Sequence, residues 1–424
     1  MDKIQRPVTN FDFKIILLKI VVLLIMVFAC GAVYAKKEAP PLLKTSDVIP
    51  GIKLSGPDYT IGQTVQNDGT INTFKITIDD KTYTVRGNML MRERLHELRA
   101  LQQLQAVKGS DVYLDAFQKA AMGPLNTAKN LITSPIGTLR GIGGGISSFF
   151  TNIGHAAFGG PSEQESGVMK TALGYDKVKR QFAYRVHVDP YTSFTPLADE
   201  LGDIAWAAVA GGMTLSVAFA AIPGTGGTVV GSMKSSDAMY RLINDNSPAE
   251  LKKRNAAKLK AMQINESIID IFLEHPKLSP TQKTFIVEAI SEINVPGREI
   301  FIERAIISVD DQEAFQIQYW AVLNAAYHKK IKPVSRFVRM GGKKSPVMQR
   351  KDGVLVVVLP VDHVAWTDEV ANGMNIIELS LKQVEGITGK EMWLSGYASP
   401  ETKKALTDLG WKVVENADKL LDLL

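Results

Sequence analysis

Val354-Leu355-Val356-Val357-Val358-Leu359 is a run of six residues with no polar side chain. A run this short and this rich in β-branched residues matches a strand covered on both faces rather than a core helix. Such strands belong mostly to parallel sheets with helices packed against them. The residues that follow fit this pattern. A helix is expected near 378–386 and a strand at Met392–Leu394. Ser399-Pro400-Glu401-Thr402 opens a further helix that Gly410 closes, and Trp411–Val414 reads as a strand. Strand, helix, strand, helix, strand is a parallel α/β signature. Residues 334–424 are therefore expected to form an α/β domain with a partly parallel sheet.

The remainder reads differently. Residues 36–57 carry Pro40, Pro41, Pro50 and Pro57 and read as a linker or extended lead-in. In 58–87, Phe74, Ile76 and Ile78 alternate with Lys75 and Thr77, and Asn67-Asp68-Gly69 and Asp79-Asp80 supply turns, which predicts a small β meander. Residues 88–190 are expected to be helical. Met91, Leu95, Leu98, Leu101 and Leu104 recur at helical spacing, with Arg92, Glu93, Arg94, Glu97 and Arg99 between them as the polar face. A second amphipathic stretch runs through Tyr113–Lys129. Residues 135–160 break the pattern with eight glycines, a density that opposes a stable isolated helix. Residues 191–333 read as a helical domain, in which Ser247-Pro248-Ala249-Glu250 is a capping box with proline at the first helical position. The expected fold class is α+β and mainly α-helical: a small N-terminal β meander, a central helical region and the C-terminal α/β domain.

Residues 1–35 read as a signal peptide. Lys3, Arg6, Lys14 and Lys19 precede an uncharged run from Ile20 to Ala35, and Val33-Tyr34-Ala35 offers a cleavage site before Lys36. An uncleaved anchor is the alternative, but the uncharged run falls short of the roughly 20 residues a spanning helix needs. Lipidation at Cys30 is a third option, opposed by the bulky Phe28 in the preceding Val27-Phe28-Ala29. Cys30 is the only cysteine of the 424 residues. A processed chain would then have no disulfide, thiol nucleophile or cysteine metal site, as suits an oxidising compartment. Four basic and two acidic side chains leave with the segment, so the net charge falls from +5 to +3. The chain is expected to be exported and to be periplasmic or envelope-associated, with an extracellular location as a further option.

Motifs for chemistry are scarce. None of the six histidines lies three to five residues from another, so no local metal-ligand pair exists and no metal is expected. His187-Val188-Asp189 and Asp362-His363 place carboxylates near histidines, but adjacent residues on a strand point to opposite faces. There is no nucleophile elbow and no Walker motif. Gly224-Thr225-Gly226-Gly227 lacks the third glycine and the preceding strand of a dinucleotide loop, so no cofactor is expected. Ser395, Gly396, Tyr397 and Ser399 lie between a strand and a helix amino end, where ligands bind in parallel α/β sheets; Ser399 reads equally as a helix cap.

Two charge patterns remain. Lys329, Lys330, Lys332, Arg336, Arg339, Lys343, Lys344, Arg350 and Lys351 fall within twenty-three residues that hold no acid. Like charges at this density repel unless they are solvated or matched by an anion. Phe337 is the only aromatic residue among them, so nucleic acid is not an expected partner. An anionic membrane surface or another envelope component is, with a solvated junction between domains as the bland reading. Reversing Lys343, Lys344, Arg350 and Lys351 to Glu is then expected to abolish binding without unfolding the chain. Conversely, the thirty residues from Ile204 to Met233 carry no charge. Residues 204–222 are rich in alanine and read as a buried helix, with hairpin insertion into a bilayer as the alternative. A non-enzymatic envelope protein is the first expectation for function. An envelope enzyme with its site at the strand ends of the C-terminal domain is the second.

Overall fold

The computed structural model describes residues 36–122, 163–220, 222, 237–340 and 345–424. Residues 1–35, read above as a signal peptide, the whole glycine-rich stretch 135–160 with the residues around it, Pro223–Gly227, Lys343 and Lys344 lie outside the described residues. The protein is α+β and mainly helical, with an antiparallel sheet near the start and a mixed sheet at the end.

The first sheet contains β1 (Leu42–Lys44), β2 (Tyr59–Ile61), β3 (Thr64–Asn67), β4 (Asn72–Ile78) and β5 (Lys81–Arg86), all antiparallel, with the short helix α1 (Thr45–Val48) after β1. The lead-in 36–57 is thus partly structured: Leu42–Lys44 pair with Thr64–Gln66. The alternation in β4 buries Phe74, Ile76 and Ile78 on one face, as period-two patterning requires.

Helices follow: α2 (Asn88–Lys108), α3 (Asp111–Met122), α4 (Glu163–Arg185), α5 (Thr195–Gly211), α6 (Leu215–Ala220) and α7 (Asp237–Asp245). Next come α8 (Pro248–Ala261), α9 (Glu266–Glu274), α10 (Pro280–Glu292), α11 (Glu299–Ala305) and α12 (Asp311–Lys330). Ser247 and Glu250 form the capping box of α8, and Asp310 caps α12 through the Glu313 amide at 2.7 Å. The uncharged segment 204–222 is not one helix. α5 ends at Gly212, whose left-handed backbone (φ +69°) breaks it from α6. Ile204, Ala205, Ala207 and Ala208 are buried within the protein, and Gly211 lies so close to α3 that a Cβ would come 1.9 Å from the Ala116 carbonyl oxygen. The small residues therefore serve close helix packing. Among the described residues no helix is long and apolar enough to cross a membrane.

The C-terminal sheet has the order β12-β10-β8-β7-β6, built from β6 (Val334–Met340), β7 (Ser345–Arg350), β8 (Val354–Leu359), β10 (Gly389–Leu394) and β12 (Trp411–Val414). β8, β10 and β12 run parallel, as the sequence predicts; β6 and β7 form an antiparallel hairpin on the β8 side. The short strands β9 (His363–Val364) and β11 (Tyr397–Ala398) pair beyond the strand ends. Helix α13 (Asp368–Leu381) starts earlier than expected because the Thr367 side chain caps it. Helix α14 (Pro400–Asp408), capped by Ser399, and α15 (Ala417–Leu420) complete the chain.

The apolar run in β8 is explained by two cores. Val356 and Val358 belong to the main core with Tyr327 of α12, while Leu355 and Val357 join Met374, Leu406 and Trp411 in a second core on the opposite face. Tyr327 and Trp393 meet edge to face at 5.2 Å across the first of these.

Candidate functional site

The basic stretch folds as the end of α12 and the β6–β7 hairpin, and its members part company. Arg350 is buried and pairs with Asp352 and with Glu391 at 3.0 Å. Its hydrogen bond to Asp352, opposed by burial, raises its pKa further, and the same bond, with the opposite sign, lowers Asp352 to about 2. Arg339 pairs with Glu303 of α11, and Lys330 donates to the Leu421 carbonyl at 2.6 Å and lies 3.6 Å from Asp422. Lys329 lies 4.0 Å from Glu292, with both side chains exposed. Lys332, Arg336 and Lys351 are exposed; Arg336 Nε donates to Gln349 Oε1 at 2.7 Å. The strand register, Val334 opposite Arg350 and Arg336 opposite Gln349, brings these three to one end of the hairpin. Apart from Asp352, which directly follows the stretch, the acids that meet Lys329, Lys330, Arg339 and Arg350 come from distant segments, which is why an acid-free window overstated the free charge. Reversal of Arg350 would place a carboxylate beside Glu391 in a buried position, so the fourfold reversal expected to spare the fold would disrupt it.

The loop Ser395–Ser399 lies at the strand ends as expected, but its amides and its two serine hydroxyls are engaged within the chain. Ser395 Oγ and Gly396 N donate to the Val361 carbonyl at 2.6 and 2.7 Å, and Tyr397 N donates to the Asp362 carbonyl at 3.2 Å. Ala398 N donates to Glu415 Oε1 at 2.8 Å and Ser399 N to the Val364 carbonyl at 2.8 Å. The Ser399 hydroxyl meets the carboxylate of Glu38 and caps α14 through the Thr402 amide at 3.0 Å. Gly396 presses on the chain opposite: a Cβ there would come 1.9 Å from the Asp362 carbonyl oxygen. The β3–β4 turn is tied to the neighbouring segment, with Asp362 and Ala365 donating their amides to the carbonyls of Thr70 and Gly69.

Asp362 and His363 do not act as a pair. The Asp362 carboxylate accepts the Asn72 amide at 2.8 Å and the Asn88 amide at 2.9 Å. Burial pushes its pKa up to about 7 against those two bonds. His363 stacks edge to face on Tyr397 at 4.5 Å; burial lowers its pKa, and its Nδ1 makes no hydrogen bond.

A third cluster was not legible in the sequence. Arg94 and Glu97, assigned to the polar face of α2, are buried and paired. Arg94 also donates to Thr192 at 3.3 Å and Ser193 at 2.9 Å, and its guanidinium lies 5.2 Å from the Phe194 ring centre. The Thr192 hydroxyl donates to Glu97. Asp189 accepts the Thr281 hydroxyl at 2.6 Å and the Tyr191 amide at 2.9 Å. Together these bonds fasten the loop between α4 and α5 to α2 and α10. Burial drives the Asp189 pKa up to about 6 and, with Glu97 adding to it, that of Glu93 up to about 8. Burial also lowers the pKa of Lys179, which faces Asp176, Asp189 and Asp199. Asp189 and Glu93 can therefore exchange protons near neutrality. Charged residues at a spacing of three on a leucine-rich helix carried no local sign that they would be enclosed. Among the described residues no group of three or more His, Cys, Asp or Glu is arranged to hold a metal ion. Comparisons with protein-family models, curated proteins and solved structures found no match.

Proposed function

We propose that the protein is an exported, non-enzymatic component of the cell envelope that binds an anionic surface through exposed basic side chains of the β6–β7 hairpin. The observation that carries this reading is the exposure of Lys332, Arg336 and Lys351 at one end of the hairpin, in a stretch without a single acid. Each Lys or Arg close to an anionic bilayer adds about 1 kcal/mol of attraction. The leader read at residues 1–35 supports the exported location. The enzymatic alternative has less support, because the amides of Ser395–Ser399 and the hydroxyls of Ser395 and Ser399 are already bonded within the chain.

The test is sedimentation of the processed chain with vesicles. Binding to vesicles containing anionic lipid should exceed binding to neutral ones and should weaken with salt, since screening acts over about 8 Å at physiological ionic strength. Reversal of Lys332, Arg336 and Lys351 to Glu should remove it while leaving the circular dichroism spectrum unchanged. Unaltered binding after that reversal would sink the proposal. The charges would then be read as protection of β6, the edge strand, against pairing with other chains.

A further inference from the structure

The cleavage site read from the sequence lies one bond before the residues that fasten the N-terminal strap to the C-terminal domain. The Lys36 backbone nitrogen is 3.3 Å from Glu401 Oε2, in the first turn of α14. Lys37 pairs with Asp368, the first residue of α13. Glu38 donates its amide to the Trp366 carbonyl at 3.0 Å. Its carboxylate accepts the Trp366 amide at 2.7 Å and the Ser399 hydroxyl. Three consecutive residues are thus tied to the segments that open both helices on one face of the parallel sheet. The strap then continues into the first sheet, where the Pro41 carbonyl accepts the Asn67 amide at 3.1 Å.

In an uncut chain the Lys36 nitrogen is a neutral amide with one hydrogen. Hydrolysis of the Ala35–Lys36 bond consumes one water, leaves a carboxylate on Ala35 and turns that nitrogen into an α-ammonium, protonated below a pKa of about 8. The atom already facing the Glu401 carboxylate then carries a full charge and three donors. A charge-assisted hydrogen bond is stronger than one from a neutral amide.

We propose that leader removal makes a latch: the new α-ammonium of Lys36 pairs with Glu401 and holds Glu38 between Trp366 and Ser399, closing the strand ends of the C-terminal domain in the processed protein. This inference rests on the cleavage reading. Its consequence is that the strap is seated more firmly in the exported chain than in its precursor.

The Trp366 amide reports on the latch, because its acceptor is Glu38. Hydrogen exchange at Trp366 is compared in the chain beginning at Lys36 and in the chain retaining Ala35, which moves the ammonium away by one residue. Exchange should be slower in the former by about two- to fivefold, the range a surface ion pair provides. Glu401→Gln, isosteric and on the surface, should erase the difference. Equal exchange in the two chains, or a difference that survives Glu401→Gln, overturns the latch. The processing premise is judged separately by amino-terminal sequencing of protein from its native cell: Lys36 supports it and any other terminus overturns it, whichever way the exchange comparison falls.

Discussion

Asp362 Oδ1 accepts the backbone amide of Asn88 at 2.9 Å, so a carboxylate from the connection between β8 and β9 serves as the N-terminal cap of α2. Gly87, which precedes Asn88, has no side chain to do so. The other oxygen takes the Asn72 amide at the start of β4. One buried side chain thereby joins the C-terminal sheet to both the first sheet and the first long helix. Removing it orphans two amides, and Asp362→Ala should cost about 2–4 kcal/mol in urea denaturation at neutral pH.

The same residue should shape the pH dependence of stability. Its folded pKa, about 7, lies above the ordinary 3.8. The contribution linked to its proton is therefore complete below about pH 4 and is lost as the pH rises toward 7. Asp362→Asn cannot titrate. The stability of the wild type minus that of Asp362→Asn should fall between pH 4 and 7, and two parallel curves would exclude this assignment. Asp189 and Glu93 titrate in both proteins and cancel in the difference.

Arg94 and Glu97 should behave as a unit. Either Glu97→Leu or Arg94→Met leaves the partner charge buried, at about 3–5 kcal/mol. The double variant removes both charges and should be more stable than the sum of the two losses implies. A double-mutant cycle by denaturation measures this, and additive losses would show that the two side chains do not interact.

Members of the basic stretch should separate by burial. Arg350→Ala uncovers Glu391 and should destabilise the fold by about 2 kcal/mol, whereas Lys351→Ala should change stability by less than about 0.5 kcal/mol. Thermal denaturation of the two variants distinguishes them. Equal effects would mean that the Arg350–Glu391 contact contributes nothing.

Two glycines offer a contrast. Gly396→Ala drives a methyl group into the Asp362 backbone and should cost at least about 2 kcal/mol. Gly373, in α13, has open space where a Cβ would stand, and Gly373→Ala should stabilise by about 0.5–1 kcal/mol. Chemical denaturation of both variants checks the sign as well as the size.

By itself the sequence determined what depends on neighbours a few residues apart. The apolar run at 354–359 required a strand covered twice, the alternation at 74–78 required a half-buried one, and the caps at Ser247 and Ser399 marked helix starts, because capping joins a side chain to an amide three residues on. Tertiary structure alone decided the pairings between distant segments. Asp362 meets amides 290 and 274 residues away, Glu391 reaches Arg350 from another strand, and Leu42–Lys44 became a strand because β3 offered an edge. The same holds for the break at Gly212 and the enclosure of Arg94 and Glu97. Burial and charge neutralisation depend on which elements pack together, and a spacing pattern along one helix or strand carries no record of its partner.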